Sequence, residues 1–64
     1  MVMVTFYNKD GRFTRIYSSK GRAEAALRRM GYRKVWENKG FILNPTLCDW
    51  DGPNGEIASV SHEY

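Results

Sequence analysis

The side chains able to do chemistry in this chain are few and far apart. Cys48 is the sole cysteine and His62 the sole histidine. Nucleophilic catalysis needs a base held beside its nucleophile, and His62 lies in a final strand expected to be held least firmly. We therefore read Cys48 as a small buried side chain and His62 as a surface one. Asp49, Asp51, Asn54 and Glu56 in DWDGPNGE are spaced somewhat like a calcium loop. That spacing would place Pro53 at the fifth ligand position and has no glycine at the sixth. Asp and Asn here serve turn chemistry instead. No glycine-rich phosphate cradle occurs. The expectation is a protein that is not an enzyme and uses no metal or cofactor.

A more specific chemistry lies in the first hairpin. Val2, Val4 and Phe6 alternate with Met3, Thr5 and Tyr7, the period of a strand with two unlike faces. Asn8-Lys9-Asp10-Gly11 reads as a type I turn closed by a left-handed glycine, giving a three-residue loop with a bulge. That loop pairs Tyr7 with Phe13, Thr5 with Arg15 and Val4 with Ile16. Tyr7, Phe13, Arg15 and Tyr17 then share one face with Met3 and Thr5, opposite Val2, Val4, Phe6 and Ile16. Aromatic rings interleaved with a cation are what single-stranded bases stack on, at about 1–3 kcal/mol per base. Arg12, Arg33 and Lys34 would extend the track. The plainer reading is that cross-strand aromatic pairs stabilise a hairpin without any ligand.

The elements that must position these residues follow from local signals. Ser18 or Ser19 can cap a helix over about residues 20 to 30. Its apolar stripe is Ala23, Ala26, Leu27 and Met30, and Gly31 stands at the C-cap. Glu24 stands four residues before Arg28, a favourable helical pair. Arg22, Arg28 and Arg29 fall on solvent-facing flanks. Tyr32 to Glu37 and Phe41 to Leu43 bracket Asn38-Lys39-Gly40 as a second hairpin, which Asn44-Pro45 ends. A short extended stretch near Leu47 to Trp50, the turn Asp51 to Gly55 and a strand from Glu56 to His62 complete the chain. The expected fold is α+β, β-β-α-β-β(-β), a single antiparallel sheet with one helix packed across one face.

Size and charge limit the function. With 64 residues the chain is one domain that buries only about 60% of its unfolded surface. A drug-sized pocket would hollow out its core, whereas a standard partner footprint would cover roughly a fifth of its surface. No run of apolar residues is long enough for a membrane span, and with one cysteine there is no internal disulfide. We expect a cytoplasmic protein with no membrane partner. Residues 1 to 39 hold ten basic side chains against three acidic, a net of +7, and residues 40 to 64 hold four acidic and none basic. Such polarity suggests an anionic partner, unless the acidic strands fold back and cancel the basic field. Trp36 and Trp50, with Tyr32 and Phe41, exceed what so thin a core needs. Trp and Arg are the residues that dominate interface hot spots.

The hairpin NKDGRFTRIYSS, the helix SKGRAEAALRRMGY and the tail WENKGFILNP…DGPNGEIASV together resemble the small accessory proteins of tailed phages. The resemblance implies a class: non-catalytic proteins that bind a host polymerase, nuclease or defence complex and block or redirect it. On that reading Arg12, Arg15, Arg22, Arg28, Arg29 and Trp36 would meet a host protein or protein–nucleic acid complex. Direct single-strand binding through Tyr7, Phe13, Arg15, Tyr17, Arg33 and Lys34 is the alternative.

Overall fold

A computed structural model of the chain describes residues 1–40 and 43–62. Its elements run β1 (Val2–Asn8), β2 (Gly11–Tyr17), α1 (Lys20–Arg29), β3 (Arg33–Glu37), β4 (Thr46–Asp51) and β5 (Ile57–His62). The strands form one antiparallel sheet of five in the order β2-β1-β5-β4-β3. The stretch expected near residues 47 to 50 is thus a full strand. The C-terminal strand, expected to be the least firmly held, lies in the middle of the sheet, paired with both β1 and β4. A central strand satisfies its backbone groups on both sides, which an edge strand cannot do.

The helix forms as its caps dictate. Ser19 Oγ accepts the Arg22 N–H at 3.2 Å, and the chain leaves the helix through Gly31 at φ +87°. Ala23 and Leu27 are fully buried in one cluster with Val2, Val4, Phe6, Cys48, Trp50, Ala58 and Val60. Met30, expected on the same stripe, is exposed. No helix among the described residues is long and apolar enough to cross a membrane.

The first hairpin departs from expectation by one residue. Asn8 pairs with Gly11, so Tyr7 faces Arg12, Phe6 faces Phe13, Val4 faces Arg15 and Val2 faces Tyr17. Asn8 Oδ1 accepts the Asp10 N–H at 2.9 Å, tightening the turn to Lys9 and Asp10 alone. Gly11, at φ +130°, already stands in the ladder. A one-residue slip exchanges faces, so Phe13, Arg15 and Tyr17 join Val2, Val4 and Phe6. The gain is aromatic contact. Phe13 stacks on Phe6 with centroids 4.9 Å apart at 16°, Tyr17 packs against the core cluster, and Ile16 is left 46% exposed.

The second hairpin is also different. β3 pairs with β4, with a register shift between Lys34 and Trp36, and the connection runs from Asn38 to Pro45. Leu43 is in a turn and 95% exposed; Phe41 and Ile42 of the expected strand lie outside the described residues. Within the connection, Asn38 Nδ2 donates to the Asn44 and Thr46 carbonyls at 3.3 and 3.1 Å. Asn38 N–H also donates to the Leu47 carbonyl at 2.8 Å. The Gly52–Glu56 turn closes with the Gly52 N–H on the Glu56 carbonyl at 2.7 Å. A Cβ at Gly52 would stand 3.0 Å from the Tyr32 ring and 3.1 Å from Glu56 Cβ, so a side chain there would force one of them to shift.

Candidate functional site

The paired registers set the side chains in rows across the five strands. On the Phe6 face one row is Phe13, Phe6, Ala58, Trp50 and Lys34; the next is Arg15, Val4, Val60, Cys48 and Glu37. On the Tyr7 face one row is Arg12, Tyr7, Ile57, Asp51 and Arg33, and the next is Thr14, Thr5, Ser59, Asp49 and Trp36.

Towards β3 four charges close on one another, while Arg33 and Lys39 are exposed and in no ion pair among the described residues. Lys20 Nζ bonds Glu37 Oε2 at 2.7 Å, and Lys34 Nζ lies 2.6 Å from Glu24 Oε2 and 3.0 Å from Glu37 Oε2. Glu24 therefore pairs with Lys34 of β3, not with Arg28 as its helical spacing suggests. Arg28 turns instead over the ring of Trp50, 5.4 Å from its centroid, with Lys34 at 5.6 Å. Trp50 is 1% exposed. Its Nε1 donates to Cys48 Sγ at 3.1 Å, and Cys48 Sγ donates to Glu24 Oε2 at 3.8 Å. The lysine ammonium groups, first Lys20 and then Lys34, pull the Glu37 carboxyl down to about 2. Hydrogen bonds to Glu37 and Glu24 raise Lys20 and Lys34 respectively. Burial pushes the Cys48 thiol up, the reverse of what a thiolate nucleophile requires.

Towards β2 the charges stay open. Arg12, Arg15, Arg22 and Arg29 are exposed and belong to no ion pair among the described residues. Arg22 and Arg29 are seven positions apart, hence on one side of α1, opposite the Lys20, Glu24 and Arg28 side that reaches β3 and β4. The helix itself contacts both β1 and β2. All of β2 is exposed except Tyr17, which is half-buried.

The expected sites are rearranged accordingly. Tyr7 is on the opposite face from Phe13, Arg15 and Tyr17, so the four do not form one stacking platform. Lys34 is held in the ion-pair chain, and Arg33 faces Asp51 across the β3–β4 ladder. Trp36 is 38% exposed on the Tyr7 face of β3, at the far edge of the sheet from Arg12 and Arg15. Four strand spacings, roughly 19 Å, separate those edges. The structure thus leaves Arg12, Arg15, Arg22 and Arg29 exposed, with Arg15 on the Phe6 face and Arg12 on the Tyr7 face of β2, and sets Arg28, over Trp50, and Trp36, on β3, apart from them. Sequence reasoning misses the Lys20–Glu37–Lys34–Glu24 chain. Its partners lie on α1 and β3 with a bulge between Lys34 and Trp36, and no periodicity in the sequence announces them.

Two surface depressions accompany these features. One, roughly 500 Å³, opens between the turns carrying Asn8, Lys9, Asp10, Asn54, Gly55 and Glu56. The other, roughly 280 Å³, is lined by Trp36, Asn44, Thr46 and Asp49. Among the described residues no group of three His, Cys, Asp or Glu side chains could hold a metal ion. No family model, curated protein or solved structure matches this chain.

Proposed function

We propose that this chain is a non-catalytic binding module that docks on an anionic surface of a larger macromolecular complex and acts by occluding it. The observation that carries the reading is that Arg12 and Arg15 on β2 and Arg22 and Arg29 on α1 are exposed and in no ion pair among the described residues, whereas Lys20 and Lys34 are neutralised by Glu24 and Glu37. Open arginines raise the rate of encounter with an anionic surface and pair bidentately with its carboxylates or phosphates. The reading takes α1 as lying across the Phe6 face. In support, Ala23 and Leu27 share the sheet's hydrophobic cluster and Glu24 and Lys20 reach β3. The resemblance to phage accessory proteins makes a bacterial polymerase, nuclease or defence complex in the cytoplasm the target class.

The test is affinity capture from a bacterial lysate, with and without nuclease, comparing the wild-type chain with an Arg15→Glu/Arg22→Glu/Arg29→Glu variant. A prey that survives nuclease, is released as salt rises from about 0.05 to 0.5 M and is lost from the variant supports the reading. A prey held equally by both chains overturns it. A prey that nuclease removes points to direct nucleic-acid binding.

A further inference from the structure

The two edges of the sheet are built differently. β3 is 5 residues long and interrupted by the register shift at Lys34/Trp36; shortness and bulging are how proteins close an edge to further pairing. β2 has neither device. It is 7 residues long, GRFTRIY, without proline, and its pairing with β1 runs from Asn8↔Gly11 to Val2↔Tyr17 without a shift. Every second residue of β2 therefore turns its backbone N–H and C=O away from β1 and toward solvent. What β2 has is charge of one sign. Arg12 and Arg15 stand on it, Lys9 and Asp10 precede it, Arg22 and Arg29 are exposed on α1, which contacts it, and no acidic side chain lies on the strand.

That charge decides the occupant. A second copy would bring four further arginines to the same seam with no carboxylate on either strand, so the edge is guarded against its own kind. We infer that β2 accepts an extended acidic segment of a partner protein as a sixth strand, its backbone completing the ladder and its carboxylates meeting Arg12, Arg15, Arg22 and Arg29. This deepens the docking reading above and rests on it. It adds both the partner's chemistry and the mode of binding.

A capped octapeptide of alternating threonine and glutamate, and the same peptide N-methylated at alternate residues, separate the two ideas, because N-methylation keeps every charge and removes the ladder hydrogen bonds. Both are titrated into the isotope-labelled full chain, with backbone amide exchange followed by NMR. The expected result is saturable protection of alternate β2 amides by the unmodified peptide, with binding about ten-fold weaker for the N-methylated one and for an Arg12→Glu/Arg15→Glu chain. Equal binding of both peptides without β2 protection overturns strand addition and leaves anionic docking standing. Binding of a mixed single-stranded DNA oligomer but of neither peptide overturns the acidic-protein partner. Binding of none of the three overturns the docking reading as well.

Discussion

At the β3 side of the molecule two lysines and two glutamates close on each other above Cys48 and Trp50, and Arg28 spends its charge on the Trp50 ring. At the other edge Arg12 and Arg15 face solvent on an unbulged strand, and Arg22 and Arg29 are exposed on α1. Both sides draw on the same basic first half of the chain. The difference comes from what each side covers. Beneath the β3-side charges are a fully buried tryptophan and cysteine, and cations and carboxylates placed over such a core are held by one another. Phe13 and the arginines of β2 lie at the rim of the core, where water solvates a guanidinium without an acid partner. Charge paired in this way serves the fold, and charge left open can be used for association.

Substitutions can break or sharpen that contrast. The largest effect is expected beneath the charged network: Trp50→Ala should cost about 3–5 kcal/mol, enough to unfold much of a small domain, read by urea denaturation. Next is Gly52→Ala, whose new methyl meets the Tyr32 ring and must displace it. A loss of about 1–3 kcal/mol is expected in the same measurement, and Tyr32→Ala in the Gly52→Ala background should recover part of it. A double-mutant cycle of Phe6 with Phe13 should give a coupling of about 0.5–1.5 kcal/mol, while a cycle of Tyr7 with Phe13 should give none. The opposite outcome would restore the three-residue loop and the single aromatic platform.

Smaller still is the pH effect. Glu37 has its folded value at about 2, below its ordinary 4.5. Its contribution is therefore fully present above the ordinary value and is lost as pH falls from there through about 2. Lys20 and Lys34 are raised above 10.5, so theirs is present below that value and fades as pH climbs past it. Acid titration of wild type against Glu37→Gln should show a stability difference that shrinks toward pH 2; a constant difference would mean the carboxylate's charge is not what matters. The smallest effect is expected at the β2 side. Arg12→Gln, Arg15→Gln, Arg22→Gln and Arg29→Gln should each change stability by no more than about 0.5 kcal/mol, while weakening association with an anionic partner. A large loss of stability from any of them would place it in the structural class of Lys34.

Much of the fold is legible in the order of the amino acids. The Ser19 cap, the helix stop at Gly31, the turn ending at Gly55 and the strand segments depend on residues within a few positions of each other, where propensity and periodicity act directly. The excess of arginine in the first half and the lack of a cysteine partner are matters of composition. The candidate site is half legible: residue type singles out Arg12, Arg15, Arg22 and Arg29 but groups Arg28 and Trp36 with them. Whether an arginine is open or engaged depends on what the sheet brings beside it.

By itself the sequence determined the helix, most of the strand segments and the excess of positive charge, because these are local or additive properties; it also pointed to a strand ending at Leu43, which stands in a turn. Tertiary structure alone decided three things. It set β5 between β1 and β4, which joins residues at opposite ends of the chain. It set the first hairpin one residue away from the pattern that local turn chemistry favours, because stacking Phe13 on Phe6 and tucking Tyr17 against the core outweighs burying Ile16. And it separated cations that are held, Lys20 in its ion pair and Arg28 and Lys34 over Trp50, from those left exposed, Arg12 and Arg15 on β2 and Arg22 and Arg29 on α1 among them, a division made by distance in space between side chains far apart in the chain.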